Sequence, residues 1–507
     1  MFFKVLEKSL RWNTIREDKK MRKFESQVQL IKYKVLKEVV RKTIDGNLME
    51  ERHKMPKEII PGNEPITRCC VYKEREIISQ RIDLIVDSVK KDEAIIEILD
   101  LACDECPSER FKVTEVCRGC LAHRCIQVCP RNAISTINGK AYIDQDKCVQ
   151  CGKCKEACPY NAISDVMRPC KKACGSKAIE VKEDKKVGIN RDKCSSCGAC
   201  VYKCPFGAVI DRSEIVPIVK ALEKSKTEGG SKVYAVIAPA ISTQYNAQIG
   251  QIVSAIKKMG FQDVIEAALG ADMVAYYEAL EFVDRVGNNE EPCMMTSCCP
   301  AFVTHVKKNY PDLAKHISTM VSPMVAVSRF IKKSHPDAVV VFIGPCTAKK
   351  EEARQDDIKD ATDYVMTFEE LEAMIDAYGI NVAECESEAM QNASHFGRVF
   401  ARHGGVRDAV VEVIAEENIT DVKFNPTACN GIDEIDKALK LLKFGKLPFN
   451  FIEGMACKGG CINGAASLTH EPKDQKLVDK YASEAIERNI KDSLRALDLS
   501  DINLHRH

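Results

Sequence analysis

The chain has 507 residues, with 75 Lys and Arg against 74 Asp and Glu, for a net charge of +1. That length predicts several domains, one of them a catalytic core of about 250 residues. The balanced charge provides no field that would attract nucleic acid or a membrane surface. No apolar run approaches the ~20 residues that span a bilayer. The first residues are too charged after Phe3 for a signal peptide.

The 26 cysteines restrict the class of protein further. Most of them occur in Cys-x-x-Cys runs that end in Cys-Pro, a spacing typical of metal clusters rather than of disulfides. Such clusters persist in a reducing compartment. We therefore expect a cytoplasmic protein of an anaerobic cell.

Residues 1–100 are predicted to form a helical, charged N-terminal region. Residues 1–57 contain 16 Lys and Arg against 8 Asp and Glu, with apolar residues at helical spacing. The basic face either lies in solvent, which we favour, or docks an acidic ferredoxin. A helix is predicted over Glu74–Val89 and a helix or strand over Ile95–Leu101, whereas Cys69 and Cys70 have no assigned role.

Residues 101–215 carry an internal repeat that predicts an α+β, ferredoxin-like iron–sulfur domain. The half-motif Cys-x-x-x-Cys-Pro-x-x-Ala-Ile/Val occurs three times, and a fourth copy has Gly in place of Pro. Its cysteine pairs are Cys125/Cys129, Cys154/Cys158, Cys200/Cys204 and Cys170/Cys174. The preceding Cys-x-x-Cys pairs are Cys117/Cys120, Cys148/Cys151 and Cys194/Cys197, and Cys103/Cys106 remains for the fourth copy.

A run of three cysteines wraps one cubane, and the cysteine before proline reaches the neighbouring cluster. This rule predicts four sets of four ligands. They are Cys117, Cys120, Cys125 and Cys158; Cys148, Cys151, Cys154 and Cys129; Cys194, Cys197, Cys200 and Cys174; and Cys103, Cys106, Cys170 and Cys204. Zinc is the competing interpretation, but the repeated spacing favours iron–sulfur clusters. We expect two to four accessory 4Fe-4S clusters.

Residues 230–468 predict an α/β core of βαβ units with parallel sheets. Short apolar runs alternate with helical patterns of 12 to 20 residues, as parallel sheets require. The strands are predicted at Val233–Pro239, Val264–Ala267, Met294–Thr296, Val339–Ile343, Val422–Phe424 and Phe449–Glu453. Residues 469–507 are predicted to form a polar, mostly helical tail.

Three cysteine loops follow predicted strands of this core, where open α/β sheets place their ligands. They are Thr-Ser-Cys-Cys-Pro at 296–300, Pro-Cys-x-x-Lys at 345–349 and Met-x-Cys-x-x-x-Cys at 455–461. Cys299, Cys346, Cys457 and Cys461 make four thiolates, the number that a cubane needs. Adjacent residues of an extended chain point to opposite sides, so Cys298 is left to face a cavity.

In this order, the three loops resemble the signature loops of the iron-only (FeFe) hydrogenases over roughly Lys232–Leu468. The resemblance implies a fifth cubane on these four cysteines, bridged to a two-iron centre with carbonyl, cyanide and dithiolate ligands. It implies reversible interconversion of dihydrogen with protons and electrons, a ferredoxin as electron partner, and a monomer.

The resemblance also implies roles for other residues. Cys298 would pass protons to the dithiolate, followed by Glu278, Ser318, Glu281 and Arg285. Lys349 would face a cyanide ligand and Glu352 would anchor its loop, while Pro239, Ser322 and Met455 would surround the two-iron centre.

Several residues depart from the family pattern and indicate a divergent subclass. They are Ala240, Phe302, Met324, Gly344, Lys458 and the pair Ala465-Ala466. Two rival interpretations stay open, a hydrogen sensor of the same fold and a non-catalytic iron–sulfur scaffold or assembly protein. Cys293, Cys385 and Cys429 have no assigned role.

Overall fold

A computed structural model describes residues 24–87, 94–288 and 290–506. The part of the predicted N-terminal helical region at residues 1–23 lies outside them. Four helices follow, α1 (Gln27–Ile44), α2 (Leu48–Glu51), α3 (Met55–Ile59) and α4 (Val71–Val86). Helix α1 begins after Ser26, whose hydroxyl accepts a hydrogen bond from the Gln29 N–H at 3.2 Å and so caps the first turn.

The cysteine-rich region consists of short helices and two-stranded antiparallel sheets. Its elements are β1 (Ile96–Ile98), β2 (Phe111–Val113), α5 (Arg124–Gln127), β3 (Ile134–Ile137), β4 (Lys140–Ile143), α6 (Lys153–Ala157), β5 (Ile163–Asp165), α7 (Pro169–Ala173), β6 (Ile179–Val181), β7 (Val187–Ile189), α8 (Ala199–Lys203) and β8 (Val209–Asp211). Strand β1 pairs with β8, with Ile96 opposite Asp211. This pairing joins the segment before residue 100 to the cluster region, and of the element predicted at Ile95–Leu101 only Ile96–Ile98 is a strand, followed by a 3-10 helix at Asp100–Ala102.

A four-stranded parallel sheet forms the centre of the α/β region. The elements up to its last strand and following helix are α9 (Ile215–Ser225), β9 (Val233–Ile237), α10 (Ile249–Lys258), β10 (Asp263–Glu266), α11 (Ala267–Phe282), β11 (Met294–Met295), α12 (Pro300–Asn309), α13 (Pro323–Ser334), β12 (Val339–Gly344), α14 (Ala348–Glu352), β13 (Tyr364–Thr367) and α15 (Phe368–Ala377). Strands run in the order β10-β9-β12-β13, all parallel. A buried strand flanked by helices explains the unbroken apolar run of β12.

A second parallel sheet has three strands, in the order β11-β15-β14. The remaining elements are α16 (His395–Val399), α17 (Gly405–Glu416), β14 (Pro426–Asn430), α18 (Ile432–Lys443), β15 (Phe451–Met455), α19 (Asp474–Ser483) and α20 (Ile490–Leu494). These two sheets confirm the predicted α/β class with parallel strands.

The strand predicted at Val422–Phe424 is wrong, because the strand in this part of the chain, β14, begins at Pro426. The apolar run there reflects burial, since Phe424 packs its ring against Phe282 and Phe451 with ring centroids 4.8 and 5.2 Å apart. Strand β15 likewise lies two residues later than the prediction of Phe449–Glu453.

The terminal segments pack against the α/β region. Helix α1 lies against α15 and α9, and Lys32 donates to both Asp211 and Glu369 at 2.6 Å. The segment after residue 469 is helical only at α19 and α20, and Leu504 is buried. Among the described residues, no helix is long and apolar enough to cross a membrane.

Candidate metal centre

The four half-motifs of the cysteine-rich region share one backbone geometry. The third residue after the last cysteine of each copy has a positive φ, at Asn132, Asn161, Lys177 and Gly207. The fourth residue is always alanine, and its N–H donates to the cysteine sulfur at 3.2 to 3.3 Å. The copy without proline, ending in Cys174, therefore folds like the other three.

The structure brings most of each predicted thiol set together. Burial raises the pKa of Cys170 to about 11, and the neighbouring thiols of Cys204, Cys106 and Cys103 raise it further. Burial likewise raises the pKa of Cys197 to about 11, with Cys174 and Cys194 beside it. The set built on Cys103 and Cys106, which no complete motif supplies, is thus assembled by the fold.

The other two sets lie around β2 and the helices α5 and α6. Cys125 has Cys158 and Cys120 as neighbours, and Cys154 has Cys148 and Cys151. Cys129 lies in the same apolar cluster as Cys148 and Cys154. Cys151 is exposed, so this pair of sets reaches the protein surface.

Within the described ranges, no three Cys, His, Asp or Glu side chains converge on a point that could hold one metal ion. A cubane does not require such a point, because its four cysteines bind four different irons.

Sequence reasoning missed Arg168, which supports the Cys103–Cys106 loop. Its side chain is buried and donates to the Pro107 carbonyl at 3.1 Å and the Cys106 carbonyl at 3.4 Å. Its Nη1 lies 3.9 Å from the Cys103 sulfur. A lone arginine beside a half-motif gives no signal in the sequence.

The four core cysteines lie at the carboxyl ends of three parallel strands. Cys299 caps α12 just after β11, Cys346 follows β12, and Cys457 and Cys461 follow β15. Burial raises the pKa of Cys346 and of Cys461 to about 12, and Cys299 is a close neighbour of both. Cys461 is exposed as a whole residue.

One thiol set of the cysteine-rich region abuts these loops. The Thr347 hydroxyl donates to the Ser196 carbonyl at 2.7 Å. A Cβ on Gly198 would come 2.5 Å from the Thr347 Oγ1 and 2.7 Å from the Ala465 Cβ. The absence of a Cβ at Gly198 thus leaves room for the side chains of Thr347 and Ala465. Burial raises the pKa of Cys457, and the neighbouring thiols of Cys346 and Cys197 act in the same direction.

Beside Cys299, the Cys298 thiol faces a fully buried carboxylate. Burial raises the pKa of Cys298 well above its ordinary value, and Glu278 raises it further. Glu278 accepts from the Ser297 N–H at 3.1 Å, while its other oxygen has no hydrogen-bond partner. Burial raises the pKa of Glu278 to about 8.

The next predicted members continue outward in order. The Ser318 hydroxyl donates to Glu281 Oε2 at 2.6 Å. Glu281 Oε1 accepts from Arg285 Nη1 at 2.6 Å. Glu281 and Arg285 share a helical face, as their i, i+4 spacing requires. All five predicted members of the proton path are therefore grouped in space.

Lys349 lies between the cysteine loops and the C-terminal segment. Its Nζ donates to Glu352 at 2.6 Å and to the Cys298 carbonyl at 3.4 Å. Glu352 is buried and also accepts from Arg506 at 2.8 Å. Glu352 therefore holds the Lys349 loop, and Arg506 is a contact that the sequence did not reveal.

The buried polar atoms fit a bound group in this cleft. Pro239 follows β9, Ser322 caps α13 and Met455 ends β15. The hydroxyls of Ser322 and Ser297 are buried without a hydrogen-bond partner, which is costly unless a ligand supplies one. Four thiols, one lysine and two donor hydroxyls match a cluster that carries anionic ligands.

Two departures from the family pattern have packing reasons. A Cβ on Gly344 would lie 2.6 Å from the Phe342 ring, so this position has no space for a methionine. Phe302 lies against Gly454, where an added Cβ would come 2.5 Å from its ring. Nothing in the structure explains Met324.

Comparison with protein families supports this chemistry. Residues 141–164 match a 4Fe-4S binding domain, and residues 164–215 match the LdpA Fe-S cluster-binding domain. Together with the repeated cysteine geometry, these matches define the class as a protein that binds 4Fe-4S clusters.

Residues 231–465 match the iron only hydrogenase large subunit, C-terminal domain. Iron hydrogenase 1 of Clostridium pasteurianum is 31% identical over 45% of this chain and 47% of that protein, about half its length. The periplasmic Fe hydrogenase large subunit of Nitratidesulfovibrio vulgaris is 29% identical over a stretch that covers 48% of this chain and 71% of that protein. Cytosolic iron-sulfur assembly component 3 of Bos taurus is 26% identical over a stretch that covers 42% of this chain and 55% of that protein.

Among solved structures, a variant of the FeFe-hydrogenase HydA1 from Chlamydomonas reinhardtii is 20% identical. The structural match covers 58% of this chain and 98% of the HydA1 chain, with a TM-score of 0.49. The match to the iron only hydrogenase domain covers somewhat less than half of this chain, and the proteins similar to it include both hydrogenases and an iron–sulfur assembly component.

Proposed function

We propose that this protein is a catalytic iron-only hydrogenase that interconverts dihydrogen with protons and electrons. Cys299, Cys346, Cys457 and Cys461 would hold a cubane, and Cys461 would bridge to a two-iron centre. When bound, that centre would supply the open metal position for the conversion of dihydrogen into two protons and two electrons.

The observation that carries the proposal is the fully buried carboxylate of Glu278 beside the Cys298 thiol. Burying an acid is costly, and its position beside the thiol favours a proton-transfer role over a scaffold. Beside Cys298 it can accept and return protons near neutral pH, since its pKa is raised to about 8. Ser318 and Glu281 continue this path towards the surface.

Lys349 would hold an anionic ligand of the two-iron centre in a site with little water. Its ammonium is fixed by Glu352 at 2.6 Å, so its position is set before any ligand arrives, which favours charge stabilisation. The unpaired Ser322 hydroxyl would donate a further hydrogen bond, while Pro239 and Met455 would exclude water.

Electrons would leave through the thiol sets in spatial order. The Cys174 set abuts the core loops, and Cys200 is also a neighbour of Cys170 in the next set. The two remaining sets reach the surface at Cys151. There Leu121 is 97% exposed, and residues 111–161 contain eight Lys and Arg against four Asp and Glu. An acidic, ferredoxin-like carrier would fit this surface.

The scaffold interpretation is the second candidate, because assembly factors are among the relatives. The two functions differ in what the core must bind. A hydrogenase needs the two-iron centre, whereas a scaffold of this fold needs only cubanes.

The test is an infrared spectrum of the protein after maturation, together with hydrogen turnover driven by a reduced viologen. We expect carbonyl and cyanide bands and turnover. A protein that contains its cubanes but lacks both bands and turnover would contradict the proposal and favour a scaffold.

A further inference from the structure

The ion pair of Lys349 and Glu352 in the core involves a third charged residue. Lys349 Nζ donates to Glu352 Oε2 at 2.6 Å, and the Glu352 side chain is fully buried. The other carboxylate oxygen, Oε1, accepts from Arg506 Nη2 at 2.8 Å. Two cations from distant parts of the chain therefore share one buried carboxylate.

The segment that leads into α13 fixes the backbone around Arg506. The Arg506 N–H donates to the Thr319 carbonyl at 2.8 Å, and the Val321 N–H donates to the Leu504 carbonyl at 2.8 Å. The Leu504 side chain is buried in the core. The fold therefore brings the guanidinium to Glu352 through backbone contacts as well as through the ion pair.

The charges alternate in sign from Lys349 outwards. Beyond Glu352, Arg506 Nη1 donates to Asp357 Oδ2 at 3.0 Å and to Gln355 Oε1 at 2.7 Å. The Asp357 side chain is 24% exposed, against 11% for Arg506, so water screens this outer anion most. Because Glu352 gives one oxygen to each cation, it compensates the charge of Lys349 only in part. The mostly buried part of this network therefore holds two cations against one anion.

Anchoring of the C-terminal segment alone does not explain this arginine. Replacing buried ion pairs by apolar side chains of similar volume is often neutral or stabilising, and Leu504 already packs in the core. A charged side chain that reaches a buried carboxylate, in place of a further apolar contact, indicates an electrostatic role.

We propose that Arg506 is a positioning residue for the core metal centre, because it shares Glu352 and so leaves the Lys349 ammonium available to an anionic ligand. Without Arg506, one oxygen of Glu352 is buried without a partner, which is costly, and the carboxylate turns both oxygens to Lys349. The ammonium is then drawn away from the Cys298 carbonyl, to which it donates at 3.4 Å. The anionic ligand belongs to the two-iron centre, so this part of the inference rests on the proposed function. The effect of the charge on the core cubane does not.

The first test needs neither the two-iron centre nor hydrogen turnover. The core cubane is the electron paramagnetic resonance signal that disappears in Cys299→Ala, and its reduction potential is measured before maturation. Less positive charge disfavours the added electron, so Arg506→Gln should lower this potential, and Arg506→Lys should restore most of it. Asp357→Asn removes an anion and should raise it. Arg495→Gln, at an exposed arginine of the C-terminal segment, is the matched control and should leave it unchanged.

The second test measures how firmly the matured protein holds the two-iron centre. In Arg506→Gln, the carbonyl and cyanide bands should disappear about tenfold faster than in wild type, the effect of losing a partner that orients a group at a metal site. The core cubane should stay intact. Arg506→Lys should lose these bands more slowly than Arg506→Gln, and Arg495→Gln should match wild type.

An unchanged core potential in Arg506→Gln, or an equal fall in Arg495→Gln, would overturn the inference. So would equal behaviour of Arg506→Lys and Arg506→Gln, because the arginine would then act through its shape and not its charge. If Arg506→Gln does not fold, the sign of the shift in Asp357→Asn decides, and a fall there contradicts the inference. If wild type has no cyanide bands after maturation, the proposed function fails, whereas the core potentials still decide the role of Arg506.

Discussion

The cysteine-rich region and the α/β region hold thiols in opposite ways. In the first, short motifs wrap each set locally, and strands of three or four residues suffice because sequence neighbours supply most ligands. In the second, Cys299, Cys346 and Cys461 are each separated by more than 45 residues and meet because strands of the two parallel sheets end near one another. Each arrangement leaves one cysteine exposed as a residue, Cys151 in the first and Cys461 in the second, and burial raises the pKa of Cys346 and of Cys461 to about 12 in the second.

This difference indicates a division of labour. Surface sets can exchange electrons with a partner, and a buried set can exclude water and control protons. Substitutions in either the cysteine-rich region or the α/β region test this division, each with a matched variant as its control.

The largest effect is expected at the adjacent thiols of the buried site. Cys298→Ala should keep every cubane but turn over hydrogen at least ~100-fold more slowly, because it removes the first proton-transfer group. Cys299→Ala should lose the core cubane and all turnover. Iron content, electron paramagnetic resonance and turnover distinguish them. If Cys298→Ala loses iron while Cys299→Ala keeps it, the two roles are reversed.

Next is the thiol set that no complete motif supplies. Cys170→Ser in the full chain should lose one cubane, about four irons, and slow electron flow from a protein donor to the core. Cys385→Ser, a buried cysteine outside every set, is the control and should keep all iron. Unchanged iron in Cys170→Ser would remove the assignment of Cys103, Cys106, Cys170 and Cys204.

A smaller effect is expected at the exposed side of the contrast. Leu121→Glu should lower turnover with an acidic ferredoxin about tenfold, because it removes an apolar contact and adds repulsion. Turnover with a viologen should not change. Phe444→Glu, at a residue 72% exposed in the α/β region, should affect neither rate. Equal rates for Leu121→Glu and wild type with the ferredoxin would place the docking surface elsewhere.

The smallest effect is expected on the change of melting temperature with pH. Asp272 is buried and accepts from Ser394 and Ser493, and burial raises its pKa from 3.8 to about 7. The folded state keeps a proton that the unfolded state releases, so this stabilisation is complete below pH 3.8 and is lost as pH rises through about 7. Asp272→Asn should flatten the fall in melting temperature between about pH 5 and pH 8.

In the cysteine-rich region, the pKa of Asp165 is shifted in the opposite direction to that of Asp272, which provides the control. A hydrogen bond from Arg110 lowers the pKa of Asp165, so its contribution is present above pH 3.8 and is lost as pH falls. Asp165→Asn should therefore leave the slope between pH 5 and pH 8 unchanged. The same slope in Asp272→Asn as in wild type would show that another buried acid controls it.

The sequence alone determined much of the chemistry. Cysteine spacing predicts local cluster loops because a cubane requires four thiolates within reach of a short chain, and the alanine after each half-motif corresponds to the N–H that bonds the sulfur. Apolar runs that alternate with helical patterns predicted parallel sheets, and the comparisons confirmed the family resemblance. The strand predicted at Val422–Phe424 shows the limit of prediction from apolar runs. Phe424 packs its ring against other aromatic side chains and does not lie in a strand.

Tertiary structure alone decided which distant residues meet. Arg168 beside Cys103, Arg506 on Glu352 and His316 on Glu291 are contacts between residues with no shared motif. A charged side chain carries no periodicity that distinguishes a buried partner from a solvated one. Its role depends on burial and on a partner that only the packing of strands and helices supplies, which is also why the pKa of Glu278 could not be read from its neighbours in the chain.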